Sequence, residues 1–269
     1  YCAGYTVAGE RPLFQVSVSN RELSDYTVSA GYPVSFPAAE CVLIYRKLAA
    51  QLPRYGAFLF HAAVICYGGK TVAFSAPRGT GKTTHIRLWQ ERFGKDVSVI
   101  NGDKPVIRLT DGRYVAYGTP WQGKERIGSH ASAPLDAICF LERGSADRIC
   151  PLAPDQAAAR LAREVIYPED CATQDRFGML AAGMLQSVPS YLLSATPTQG
   201  AVDAVLVEGD HAVLLDYKTD RVAAPQELTG RYALQLKLYT AMVRRQFGLP
   251  VTEAVLYSFC LGQAVKVEL

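Results

Sequence analysis

Two groups of residues in this sequence have the types and spacing that chemistry on phosphate requires. The first is Ala76-Pro77-Arg78-Gly79-Thr80-Gly81-Lys82-Thr83, the A/G-x-x-x-x-G-K-S/T form of the Walker A loop. Gly79 and Gly81 let backbone N–H groups turn inward around phosphate oxygens with no side chain in the way. The helix that follows adds the partial positive charge of its N-terminus. Gly79, Thr80, Gly81, Lys82, Thr83 and Thr84 are therefore the expected ATP-binding residues. Lys82 would reach the β- and γ-phosphates, and the Thr83 hydroxyl would ligate magnesium. A second element should supply an acid. Asp103, in Asn101-Gly102-Asp103-Lys104-Pro105, follows the apolar run Val97–Ile100, a place where nucleotide-site acids commonly sit. There it would hold the metal or activate an attacking hydroxyl.

The second group lies in the last quarter of the chain. Residues 201–208 and 211–217 read as the two strands of a hairpin turned at Gly209-Asp210. In that register Glu208 pairs with His211, and Asp203 falls opposite Asp216. Facing carboxylates repel unless a divalent cation sits between them, so Asp203 and Asp216 are candidate metal ligands. Lys218, two residues beyond Asp216, shares its face. From there it can stabilise a pentavalent phosphate or orient water.

Elements able to position these residues are legible along the chain. Residues 5–36 read as short strands and turns, and 38–53 as a helix stopped by Pro53. Phe58–Cys66 reads as one buried strand, followed by a strand at Thr71–Ser75, the phosphate loop, and a helix over about 82–93. Further strands are expected at Val97–Ile100, in a hairpin turned at Asp111-Gly112, at Ala137–Leu141 and at Tyr191–Ala195. Residues 155–188 read as helix broken near Pro168. A turn cluster at 196–200 marks the expected boundary between units 1–198 and 199–269.

The 269 residues, 49% hydrophobic and 20% charged, describe a globular chain with ample core and exclude a disordered tail or a collagen-like repeat. A net charge of +3 without a basic block does not announce nucleic acid. Seven scattered cysteines without a C-x-x-C pair argue against a disulfide framework or structural zinc; lying mostly in apolar runs, they read as buried free thiols. With no long apolar run and no signal peptide, the expectation is a cytoplasmic protein with no membrane contact. The opening residue, Tyr1, suits a fragment or a processed chain. The Trp121-Gln-Gly-Lys124-Glu125 loop can face an acceptor, although a tryptophan on such a loop is more often a partly buried plug. His85, Arg87 and Trp89 read as packing residues.

The spaced motifs also carry two resemblances. His61-Ala62-Ala63, Ala76–His85, Leu88-Trp89, Asn101–Pro105, Gly118–Glu125, Pro134-Leu135 and Phe140–Arg143 together resemble the HPr kinase-like, phosphoenolpyruvate carboxykinase-type P-loop proteins over about residues 38–198. The resemblance implies ATP and Mg2+ as cofactors, His61 on a strand near the phosphates, and Asp103 as the catalytic acid or metal ligand. HPr kinases usually carry two adjacent acids where this chain has Gly102-Asp103. Residues 199–269 resemble the RecB/AddA-type, D-x-K nuclease domain of bacterial ATP-dependent helicase/nucleases. The quoted residues are Gly200-x-x-Asp203, Asp216-Tyr217-Lys218-Thr219-Asp220, Tyr232, Gln235-x-x-x-Tyr239 and Leu256–Phe259. That resemblance implies magnesium on Asp203 and Asp216, catalytic Lys218, a site completed by Gln235 and Tyr239, and DNA as partner.

The fold expected is thus α/β: a P-loop kinase/carboxykinase-like mixed sheet with helices, plus a partial α/β restriction-endonuclease-like sheet. Three functions follow. The first is ATP-dependent phosphoryl transfer to an unknown acceptor, on a chain that joins two segments as a chimeric or truncated product. The second is Mg-dependent DNA cleavage in DNA repair, and the third an idle nucleotide-binding protein.

Overall fold

The computed structural model describes residues 2, 5, 9, 11–205, 212–218, 220–247, 250–258 and 260–268, with the backbone alone at 203, 212, 217 and 245–247. The strands expected within 5–36 are absent among the described residues there. Instead Asn20–Ser29 forms helix α1, carrying Tyr26-Thr-Val with it. The cause is a capping box: the Ser19 hydroxyl accepts from the Glu22 N–H, and the Glu22 carboxylate accepts from the Ser19 N–H at 2.8 Å. That pairing satisfies helix-end donors and outweighs β-propensity. Helix α2, Phe36–Gln51, begins with Pro37 in its first turn and ends in a 3-10 turn at Leu52–Tyr55.

The run read as one strand is two. Strand β1 (Ala57–Leu59) and strand β2 (Ala62–Tyr67) belong to different sheets. The chain breaks at Phe60-His61, so His61 stands in a gap rather than on a strand. Strand β3 (Lys70–Ser75), helix α3 (Lys82–Phe93) and strand β4 (Ser98–Asn101) follow as expected. Next come β5 (Val106–Thr110), β6 (Arg113–Tyr117), β7 (Ser132–Pro134), β8 (Ala137–Arg143) and β9 (Arg148–Pro151). Helices α4 (Pro154–Leu161) and α5 (Cys171–Ser187) then lead to β10 (Ser190–Ala195) and the helical turn α6 (Gly200–Asp203).

A six-stranded mixed sheet runs β4-β2-β3-β8-β10-β9, with β3, β8 and β10 parallel and the other neighbours antiparallel. A four-stranded antiparallel sheet runs β1-β5-β6-β7. The alternation along β2 divides the core. Ala62 and Val64 join Phe58, Ile107, Tyr114, Phe177 and Met184 between the sheets and under α4 and α5. Ala63 and Ile65 join Ile86, Trp89, Leu193 and Val202 beneath α3 and α6. This period-2 partition is why β2 is apolar throughout.

A third sheet is built from β11 (Ala212–Lys218), β12 (Val251–Ser258) and β13 (Gln263–Val267). Strand β11 runs parallel to β12, and β13 is antiparallel. Helix α7, Pro225–Phe247, makes the crossover and buries Leu228 and Leu236 against Ala254, Leu256 and Val267. The architecture is mixed α/β, as the sequence predicted. All seven cysteines are free, but Cys139 alone is fully buried and Cys2, Cys171 and Cys260 are exposed, which corrects the expectation of buried thiols.

Candidate active site

Strand β3 ends at Ser75 and α3 opens at Lys82, so residues 76–81 form the loop between them. Gly79 and Gly81 have φ of 85° and 128°, conformations that strain any residue with a Cβ. No atom lies within 4 Å of where a Cβ would stand at either glycine, and no side chain caps α3. The loop therefore fits a phosphate group: space over two glycines and uncapped N–H groups at a helix start. Thr83 and Thr84 occupy the first turn of α3, and Thr80 precedes it. Arg143, at the end of β8, donates to the Gly79 carbonyl at 2.6 Å and steadies the loop. The Lys82 ammonium donates to the Ala76 carbonyl of the same loop. Burial pulls the lysine down to about 8, against the opposing charges of Glu164 and Asp103.

Asp103 is aimed by Asn101, whose side chain is sealed at the end of β4. The Asn101 Oδ1 accepts from the backbone of Asp103 at 2.9 Å and of Lys104 at 2.7 Å. Its Nδ2 donates to the carbonyl and hydroxyl of Thr119, both at 3.1 Å. A Cβ on Gly102 would come within 2.7 Å of the Ile127 carbonyl oxygen and 3.2 Å of that of Gln122. Packing thus forbids a second acid beside Asp103, which accounts for glycine at that position.

His61 is brought to Asp103 by the break between β1 and β2. Its carbonyl accepts from the Ser75 hydroxyl at 3.0 Å, tying it to the base of the phosphate loop. Its Nε2 lies 3.2 Å from Asp103 Oδ1, and its Nδ1 lies 2.6 Å from Glu164 Oε2. The other Asp103 oxygen faces the Lys104 ammonium at 3.5 Å, and that ammonium also lies over the Tyr45 ring. Burial alone would raise Asp103; the His61 hydrogen bond and the charges of Lys104, His61 and Lys82 outweigh it and hold the carboxyl below its ordinary value. Burial, with the Asp103 charge, raises the Tyr45 hydroxyl.

The structure thus gathers Lys82, His61 and Asp103, and adds Glu164, which the sequence does not reveal. Glu164 sits in the turn after α4 with no motif around it, and the backbone pairing of Phe60-His61 with Glu164-Val165 brings it in. Trp121 packs on Tyr45, ring centroids 5.6 Å apart, as a partly buried plug rather than an acceptor platform. His85 is a packing residue: it accepts from Trp89 Nε1 at 3.1 Å, meets Phe74 edge-on, and is pushed by burial to about 4.

The second constellation forms only in part. Lys218 Nζ lies 3.0 Å from Asp216 Oδ2 on the same face of β11. It also donates to Gln235 Oε1 at 3.3 Å and stands 3.8 Å from the Tyr232 ring centroid. Gln235 Nε2 donates to the Tyr239 hydroxyl at 2.6 Å, one helical turn along α7. Among the described residues the expected hairpin is not seen. Gly200–Asp203 is the helical turn α6, packed on α3 and β10, and β11 pairs among the described residues with β12. That register therefore does not bring Asp203 opposite Asp216, because Ala201 and Val202 are drawn into the first core. Residues 206–211 of the predicted hairpin lie outside the described residues. Among the described residues no three His, Cys, Asp or Glu side chains are grouped to hold a metal ion; Asp203 is described by its backbone alone. No helix among them is long and apolar enough to cross a membrane.

The mixed sheet and glycine-bounded loop define a P-loop α/β protein, with a nuclease-like segment after it. Residues 38–202 match the family model of SynChlorMet cassette protein ScmC, and the chain belongs to that family. Residues 154–267 match the PD-(D/E)XK nuclease superfamily. ATP-dependent helicase/nuclease subunits of the A type from Streptococcus pyogenes serotype M5 (strain Manfredo) and serotype M49 (strain NZ131) are each 41% identical over 70 residues, 26% of this chain. The aligned stretch spans only 6% of the length of those relatives. The HPr(Ser) kinase/phosphatase of Coxiella burnetii aligns with 70% of this chain and 97% of its own, at 8% identity and a TM-score of 0.31.

Proposed function

We propose that this chain binds ATP with magnesium at residues 79–84 and transfers a phosphoryl group to a hydroxyl oriented by Asp103. The observation that carries this reading is the placement of Asp103, hydrogen-bonded to His61, beside a phosphate loop whose lysine feels its charge. Bound ATP would supply the transferable phosphoryl group, and magnesium, reached from Thr83 and Asp103, would neutralise its charge. Lys82 would exchange its loop carbonyl for a phosphate oxygen. Asp103, bracketed by His61 and Lys104, is too weakly basic to strip a hydroxyl in advance. It serves better to orient the acceptor, which suits the loose transition state of phosphoryl transfer. The test is calorimetry of Mg-ATP on the whole chain. Binding that survives in wild type and Asp103→Asn but vanishes in Lys82→Ala supports the reading, and no binding by the wild type defeats it.

We divide the chain at the turn 196–200, which Asp147 holds by accepting from the Thr196 hydroxyl at 2.8 Å. The nucleotide-binding unit precedes it and takes α6 into its core; the nuclease-like unit follows. A join of two segments would account for one family match ending at residue 202 and another running to residue 267. A second reading, DNA cleavage by the later unit, is favoured by the Lys218–Gln235–Tyr239 network. Asp216 stands beside Lys218 on β11, and Asp203 is described by its backbone alone. Cleavage of linear DNA in Mg2+ that Lys218→Ala abolishes would establish that reading.

A further inference from the structure

We propose that Glu164 is a positioning residue of the phosphoryl-transfer site, its carboxylate holding the His61 ring so that Nε2 meets Asp103. The proposal rests on the nucleotide-site reading above. Glu164 and His61 are 103 residues apart, and the backbone and side chain of Glu164 do separate things. Its carbonyl accepts from the His61 N–H at 2.8 Å, and its neighbour Val165 bridges Phe60. The main chain thus already stitches this turn to the break between β1 and β2. The side-chain contact to Nδ1 at 2.6 Å is additional to that stitch.

The Glu164 side chain is only 5% exposed. A carboxylate in such a place is costly unless paired, and even a paired buried charge adds little net stability over an apolar residue. Stability is therefore a poor reason for an acid here, whereas geometry is a good one. An imidazole held at one nitrogen can turn over about its soft second torsion. Held at both, it cannot. With Nδ1 committed to Glu164, Nε2 is the nitrogen left for Asp103, and both can donate only from the doubly protonated ring. Asp103 Oδ1 is thereby fixed, while Lys104 meets Oδ2. Lys82 is placed independently by the phosphate loop, so the loss of Glu164 should fall on turnover rather than on nucleotide binding.

The experiment is a double-mutant cycle on the whole chain, reading kcat and KM for Mg-ATP with water as acceptor. The four proteins are wild type, Glu164→Gln, His61→Asn and the double variant. Glu164→Gln should lower kcat about tenfold with KM changed by less than about twofold. In the His61→Asn background the same change should have almost no further effect, because a residue acting through His61 has nothing left to position. Additive effects in the double variant, an unchanged kcat in Glu164→Gln, or loss of its cooperative melt would each overturn the proposal. If the wild type fails to bind Mg-ATP, the nucleotide-site reading falls and this proposal with it; binding and turnover without coupling overturn this proposal alone.

Discussion

The proposed nucleotide site and the lysine network of the C-terminal segment differ in how far along the chain they draw their parts. His61, Lys82, Asp103 and Glu164 come from four segments, gathered by two sheets and one isolated backbone bridge. Asp216, Lys218, Gln235 and Tyr239 come from one strand and the helix after it. The first group neutralises itself: each oxygen of Asp103 faces a basic group, and His61 stands between two carboxylates. The second depends on a partner from outside its own strand and helix, and the backbone of the acid expected to supply it lies in the helical turn α6 instead of a strand beside β11. A site assembled over long range is completed by the fold, whereas a local one stays open to whatever its neighbours become.

That contrast can be tested from its strongest consequence downward. Lys82→Ala should weaken Mg-ATP binding by at least about a hundredfold, since the proposed site loses the lysine that would leave the Ala76 carbonyl for a phosphate oxygen. Lys218→Ala should leave ATP binding unchanged. Titration calorimetry on both variants checks this, and equal loss in the two would mean the sites are not separate.

Two glycines sharpen the comparison through stability. Gly102→Ala forces a Cβ to 2.7 Å from a backbone oxygen and should cost about 1–3 kcal/mol. Gly230, exposed in the interior of α7, has nothing within 4 Å of a built Cβ, so Gly230→Ala should add about 0.5–1 kcal/mol. Calorimetric melting reads both. If the two units melt separately, each variant should move only its own transition.

A smaller effect is expected from Gln235→Ala, which removes one acceptor of Lys218 Nζ and the donor to Tyr239. Loss of such a half-exposed contact should cost about 1 kcal/mol, seen as a lower denaturant midpoint of the later unit with ATP binding untouched. The smallest lies far from both sites. The Lys47 contact and the Ser19 backbone pull Glu22 down from 4.5 to about 2. A carboxyl lower in the folded state lends stability that is full above about pH 4.5 and is lost as the pH falls toward 2. The protection of the α1 amides, taken as exchange relative to that of the unstructured chain at the same pH, should accordingly fall between pH 5 and pH 2.5, and Glu22→Gln should remove that dependence.

Where interactions are short in sequence, much of this is legible. The Walker loop declares itself because glycine spacing and the strand–helix context are local. Asp216 and Lys218 share a face because strand side chains alternate, and Gln235 meets Tyr239 because residues four apart on a helix are neighbours. The capping box at Ser19 and Glu22 is equally local, yet the β-branched look of Tyr26-Thr-Val hides it. His61 is legible as a residue but not in its place, since an unbroken apolar run conceals the point at which a chain passes from one sheet to another.

By itself, then, the sequence determined the mixed α/β class, the phosphate loop with its helix, and the pairing of Asp216 with Lys218. Periodicity and local backbone geometry suffice for these. Only the tertiary structure decided that the chain breaks at Phe60-His61, that Glu164 closes the far side of His61, and that no side chain fits at residue 102. It also decided that residues 200–203 join the first core as a helix instead of facing Asp216 across a hairpin. Each of these is settled by which backbone groups and apolar faces find partners far away in the chain, and a burial of Ala201 and Val202 beneath α3 outweighs any local preference for a strand.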